Sequence, residues 1–186
     1  ARAQTLRQPE SIRRVRRAYY ALVTYIDDKI GALLQTLEDT GFAANTVVVF
    51  CSDHGDMLCE KGMVQKRTFY EWSARVPLIA RFPDGRASGV VAAPVNLIDL
   101  LPTFLDIAGV AADERLPCDG QSLLPLMHGD GQSARVTFCE YHSQGAHAPC
   151  FMIRDGDYKY VLVHGHDTQL FNVIEDPGEW HNLSGD

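Results

Sequence analysis

From Ile12 onward, apolar residues recur at steps of three and four through Val15, Tyr19, Leu22, Ile26, Ile30, Leu33 and Leu37. That spacing is the stripe of an amphipathic helix. Gly41, just past the last periodic residue, predicts its stop. The pattern then changes: Thr46-Val-Val-Val-Phe-Cys51 is a β-branched run without polar alternation, which predicts a strand covered on both faces, as in a parallel sheet. Arg75-Val-Pro-Leu-Ile-Ala-Arg-Phe82 predicts a second strand, with Pro77 near its beginning or on an edge because proline brings no ladder donor. Asp99 is expected to cap a helix over Leu100 to Ala108, with Pro102 in the first turn and Gly109 closing it.

Beyond Gly109 the texture is different. Pro, Gly and Asp punctuate Ala111 to Gly131, and the segments that follow are short and without a helical period. Arg135–Tyr141, Cys150–Arg154, Tyr158–Val163 and Gln169–Val173 predict strands, with Asp155-Gly156-Asp157 as hairpin chemistry between two of them. The expected organisation is therefore an α/β part over residues 1–110 and a small antiparallel subdomain over 111–186. Two strands are too few to cover the first helix, so further sheet neighbours are expected elsewhere in the polypeptide or on another chain.

Composition adds exclusions. The chain has 186 residues, 46% of them hydrophobic and 22% charged, which suits a globular protein. Seventeen basic against 24 acidic residues give a formal charge of -7, a balance that repels polyphosphate and argues against a nucleic-acid partner. No apolar run approaches the ~18 residues of a membrane span, so no membrane partner is expected. Cys51, Cys59, Cys118, Cys139 and Cys150 are an odd set without a C-x-x-C spacing, which reads as reduced thiols in a cytoplasmic protein. Ala1 to Thr5 carry no initiator Met and no secretory pattern, the expectation for a cytoplasmic fragment.

Candidate chemistry sits directly after the Val-rich strand, in Ser52-Asp53-His54-Gly55-Asp56. Ligands of open α/β sheets bind outside the carboxyl ends of strands, and adjacent Asp and His can offer a hard oxygen and an imidazole nitrogen to one divalent cation. The same residues also suit a plain polar turn. The segment continues as Met57-Leu-Cys-Glu-Lys-Gly62, then Lys66, then Tyr70-Glu-Trp-Ser-Ala-Arg-Val-Pro-Leu78.

These motifs resemble the C-terminal half of the type I sulfatases of the alkaline phosphatase superfamily, and within them the choline sulfatases most. The likeness continues through Val95-Asn-Leu-Ile-Asp-Leu-Leu-Pro-Thr103, Glu140-Tyr141, Ala148-Pro149, Met152-Ile-Arg154 and Tyr158-Lys159-Tyr160, and closes on Leu170-Phe-Asn-Val-Ile-Glu-Asp-Pro-Gly-Glu-Trp-His-Asn-Leu183. It implies an alkaline-phosphatase-like α/β sandwich sheet followed by a small antiparallel sheet. It implies hydrolysis of a small-molecule sulfate ester by a formylglycine made from cysteine, with a divalent cation neutralising the developing charge. Asp53 and His54 would be metal ligands, with Ca2+ expected and Mn2+ or Mg2+ as alternatives. Lys66 would reach a sulfate oxygen, and Glu140 would contact the choline cation. Lys66 as a solvated loop lysine and Glu140 as a structural strand residue are the plain alternatives.

The sequence departs from the family in one large respect. None of the five cysteines is followed by the C-x-P-S-R or C-x-A-S-R pattern, and the acidic pair near the family's beginning is absent. The nucleophile and the remaining metal ligands are thus expected in a missing N-terminal half, and the isolated chain is expected to be inactive. Association into a homo-oligomer is a further implication. A phosphonate monoester or phosphodiester hydrolase of the same superfamily, and a non-catalytic assembly module, stay open as alternatives. Arg13, Arg14, Arg16 and Arg17 read as a solvated or salt-bridged helix face. Asp167, Glu175, Asp176, Glu179 and Asp186 would pair with that cluster or stay wet. His142, His147, His164, His166 and His181 show no ligand spacing.

Overall fold

The computed structural model describes residues 8–85, 89–129, 135–143 and 145–185. Ala1 to Thr5 and the terminal Asp186 therefore lie outside the described residues. The chain forms two compact units, residues 1–86 and 87–186.

The first unit opens with helix α1, Pro9–Asp39, with Pro9 in its first turn where a missing N–H costs nothing. Gly41 follows at φ 76, and its N–H reaches the Glu38 carbonyl, so the stop expected from sequence is a left-handed glycine cap. No residue of α1 is fully buried, and Leu22, Ile26 and Leu33 of the predicted stripe are exposed. Strands β1 (Val48–Cys51) and β4 (Leu78–Arg81) pair antiparallel, Val48 opposite Arg81 and Cys51 opposite Leu78. The parallel pairing expected of the Val-rich run is thus not what the described residues form, and Phe50 and Cys51 are exposed. A run of β-branched residues reports strand propensity and not the direction of its neighbour.

Between β1 and β4 lie a hairpin that periodicity does not signal, β2 (Met57–Leu58) with β3 (Val64–Gln65), and a one-turn helix α2, Glu71–Ala74. Met57 and Phe82 are the buried apolar anchors of this unit.

In the second unit, α3 spans Leu100–Ile107 and α4 spans Leu124–Met127. Asp99 precedes α3 but makes no side-chain cap to it. It closes a capping box one turn upstream, with its Oδ2 accepting the Asn96 N–H at 2.9 Å. Its other oxygen accepts the Gln121 N–H at 2.8 Å, and Arg135 Nη2 stands 2.9 Å from Oδ2. The Thr103 hydroxyl donates to the Asp99 carbonyl and accepts the Leu123 N–H. A buried acidic side chain with this many donors is a structural hub.

The sheet of this unit is a meander in order β5 (Val136–Tyr141), β6 (Cys150–Asp155), β7 (Tyr158–Val163) and β8 (Gln169–Asn172), antiparallel throughout. Asp155 pairs with Tyr158 across a turn holding Gly156 at φ 50, which is the predicted two-residue hairpin. One face buries Thr137, Met152, Lys159, Val161 and Phe171, while Val136, Phe138, Ile153, Tyr158 and Tyr160 of the other face are exposed. Full burial of each such aliphatic or aromatic side chain is worth about 1.5–3 kcal/mol. The buried charge on this face is paired: Lys159 meets the Glu179 carboxylate, both side chains at most 1% exposed. Glu179 therefore does not stay wet, one of the two outcomes expected of its acidic segment.

Candidate functional site

Asp53 and His54 leave the sheet two and three residues after the end of β1. The turn there is held by backbone contacts. The Ser52 hydroxyl donates to the His54 carbonyl at 2.7 Å, and the Gly55 N–H donates to the Ser73 carbonyl of α2 at 2.8 Å. A Cβ on Gly55 would lie 2.1 Å from the Trp72 carbonyl oxygen. Only glycine permits so close an approach of two backbones.

His54 Nδ1 lies 2.8 Å from the Gly55 carbonyl oxygen. A carbonyl only accepts, so Nδ1 carries the proton and donates. The ammonium of Lys66 touches Nε2, and an ammonium only donates, so Nε2 presents its lone pair. Asp53 Oδ2 stands 3.1 Å from the same Nε2. Two lone-pair donors thus stand side by side, and the Lys66 ammonium lies against one of them, matching their charge. The ring is oriented by a hydrogen bond to its far nitrogen, as metal-bound imidazoles are.

Electrostatics agree with that reading. Partial desolvation works to raise the pKa of the Asp53 carboxyl, but the His54 backbone N–H, 2.9 Å from Oδ1, and the positive charge of Lys66 outweigh it. The carboxyl is held below its ordinary value and stays a charged ligand. The Asp53 side chain is 80% exposed and that of His54 36%, so the pair is open to a ligand. The structure thus brings together three of the four site residues expected from sequence. Among the described residues no three His, Cys, Asp or Glu side chains converge there. Calcium takes about six to eight oxygen ligands.

Glu140 belongs to the second unit, on the exposed face of β5. Its carboxylate pairs with His142 Nε2 at 3.3 Å. The His142 ring meets Phe151 edge-on at 5.2 Å, and Phe138 stacks on Phe151 at 6.2 Å. Tyr141 points to the opposite face, as strand alternation requires. His181 pairs with Asp176 at 3.5 Å, and the five thiols are free.

Arg16, one of the cluster expected to be solvated or salt-bridged, is salt-bridged: it donates from Nη2 to Glu60 at 2.9 Å and from Nε to the Leu58 carbonyl at 3.1 Å, partners that the sequence does not name. Lys61 lies over the Tyr70 ring at 4.6 Å. Arg13 does behave as a surface partner, 3.6 Å from Glu10 one turn away.

Comparison with known proteins completes the description. Residues 2–110 match the sulfatase family, and residues 59–186 match the family described as N-sulphoglucosamine sulphohydrolase, C-terminal. The choline-sulfatase of Rhizobium meliloti (strain 1021) is 43% identical over 176 residues, which are 94% of this chain and 34% of that protein. The structure of a 2-O GAG sulfatase superposes with TM-score 0.85 at 30% identity, over 98% of this chain and 41% of that one. The phosphonate monoester hydrolase of Agrobacterium radiobacter superposes with TM-score 0.81 at 27% identity, over 96% and 39%. The fold is α/β and alkaline-phosphatase-like. The chain spans about a third of the length of the curated relatives it matches.

Proposed function

Because the chain belongs to the sulfatase family, we propose that it supplies the cation- and sulfate-binding part of a sulfuric ester hydrolase whose nucleophile lies in a further part of the same polypeptide. The observation that carries this reading is the convergence of Asp53 Oδ2, His54 Nε2 and the Lys66 ammonium at the exit of β1. Asp53 and His54 would hold a divalent cation, and the hard carboxylate favours Ca2+, Mg2+ or Mn2+. When bound, such a cation would neutralise charge growing on the sulfuryl oxygens, and a formylglycine elsewhere in the polypeptide would supply the nucleophile. Lys66 binds a sulfate oxygen as a point charge. Gly55 and the Ser73 carbonyl fix the turn that aims both ligands.

In domain terms we assign residues 1–110 to the sulfatase α/β domain and 111–186 to its C-terminal subdomain; the first family match ends at 110, whereas the second begins at 59 and the compact units divide at 86/87. Choline sulfate is the substrate we assign. The 43% identity to a choline-sulfatase supports it, as does a carboxylate, Glu140, among Phe138, Phe151 and His142, since quaternary ammonium ions favour aromatic faces beside a negative charge. Five free thiols support a reducing, cytoplasmic setting.

In the full-length polypeptide, Asp53→Ala is expected to abolish cation-dependent turnover and to lower the bound divalent ion measured by elemental analysis. Retained turnover would remove the ligand role. The superposition on a phosphonate monoester hydrolase favours a second reading, hydrolysis of phosphonate monoesters or phosphodiesters. Rates on both ester classes decide, since faster turnover of the phosphorus esters would displace the sulfatase assignment. Peptide mass mapping for an upstream formylglycine separates both from a non-catalytic module.

A further inference from the structure

Lys66 follows directly on a segment whose backbone is out of the ordinary. In the Met57 to Gln65 hairpin, Cys59, Lys61 and Gln65 sit at φ 77, 51 and 71. None of them is glycine, and the left-handed region is unfavourable for such side chains. Conformations of this kind persist where surrounding contacts over-determine them. Those contacts are present. Arg16 on α1 grips the hairpin through both the Glu60 carboxylate and the Leu58 carbonyl. Glu60 turns back to accept the Leu58 N–H at 2.5 Å. The Lys61 ammonium over Tyr70 ties the far side of the hairpin to the chain beyond Lys66. Met57, at its base, is 1% exposed.

We propose that this hairpin is a positioning arm for Lys66, and that Arg16, Glu60 and the left-handed Gln65 backbone are positioning residues that hold its ammonium at His54. A lysine on a relaxed loop would have four rotatable stem bonds and a free backbone, and would present its charge over a wide volume. With Gln65 in the left-handed region and the hairpin clamped from α1, the last backbone unit before Lys66 has one orientation. The inference rests on Lys66 contacting the sulfate, as proposed above.

The test is a double-mutant cycle in the full-length enzyme on a sulfate ester, with circular-dichroism melting to confirm folding. Arg16→Met and Gln65→Val, whose β-branched side chain is excluded from the left-handed region, are each expected to lower kcat/KM on the order of tenfold, mainly through KM. Arg16→Lys, which keeps the charge but not the fork, should recover only part of the loss. Gln65→Gly accepts the left-handed backbone, so it should lose several-fold less than Gln65→Val in KM, a split that loss of the side chain alone would not give. On a Lys66→Ala background Arg16→Met and Gln65→Val should each add less than about twofold. Additive losses there, or equal KM in Gln65→Val and Gln65→Gly, would overturn the arm. If Lys66→Ala is itself silent, the sulfate-contact reading falls, and the arm with it.

Discussion

Glu179→Gln tests the buried ion pair of the second unit. Lys159 enters on β7 in register between Arg154 of β6 and Phe171 of β8, and its side chain and that of Glu179 are 1% and 0% exposed. The amide is nearly isosteric with the carboxylate, so the substitution leaves the packing and removes the charge. The ammonium then stays buried without its counter-charge, a situation that costs about 3–5 kcal/mol. A pair at ~4 Å in an effective dielectric near 20 gives about 4 kcal/mol, in the same range. With a urea slope of about 2 kcal/mol/M, that loss moves the unfolding midpoint down by about 2 M at unchanged slope. Urea titration followed by circular dichroism and by tryptophan fluorescence reads it. The double change Lys159→Met with Glu179→Leu removes the desolvation cost together with the attraction and should recover most of the loss. A Glu179→Gln midpoint within about 0.5 M of the parent would refute the reasoning, because the ammonium would then have to be solvated or served equally well by another partner.

Two further outcomes are expected. Gly55→Ala must push the Asp53 to Gly55 turn off Trp72, whose carbonyl oxygen would be 2.1 Å from the new Cβ. Divalent-ion affinity of the full-length protein, read by isothermal titration, should fall by about tenfold or more, and an unchanged affinity would show that the turn does not aim the ligands. Asp106 is held below its ordinary pKa, first by the Ser122 hydroxyl and then by Arg115, whose Nη1 lies 2.6 Å away. A depressed folded pKa adds stability above the unfolded carboxylate value and loses it as pH falls through the folded value. Asp106→Asn should therefore cost about 1 kcal/mol or less near neutrality and nothing at strongly acid pH. A loss that is equal at both ends would assign the contribution to shape and not to charge.

Features written in local periodicity were legible in the sequence. The stripe from Ile12 to Leu37, the four meander strands and the Asp155-Gly156-Asp157 turn were readable because each depends on residues close in sequence. Direction was not legible. Val48 to Cys51 announces a strand, but whether Leu78 to Arg81 runs with or against it depends on the path between them. Nor does any residue type announce Gln65 or Cys59 as left-handed, since both conformations belong to the geometry of the hairpin, in which Cys59 bonds Met63 and Gln65 stands opposite Met57. Arg16 and Glu179 look alike as surface charges until Glu60 and Lys159 are placed beside them. The candidate site was more legible than its supports: Asp53, His54 and Lys66 stand in recognisable order, while Trp72 and Ser73 act through backbone carbonyls that no side chain reports.

The Asp99 hub fixes where the second unit tolerates changes of length. Asn96, Gln121 and Arg135 reach one carboxylate from 3, 22 and 36 residues away. An insertion beside Leu116, 85% exposed between the tied residues Arg115 and Gln121, lengthens a segment whose ends are already held, and each doubling of such a loop costs only about 0.6 kcal/mol. One residue added between Asn96 and Asp99, or between Asp99 and Thr103, would instead slip the carboxylate, the capping box and the threonine hydroxyl out of step together. Length in this unit is free between its ties and fixed within them.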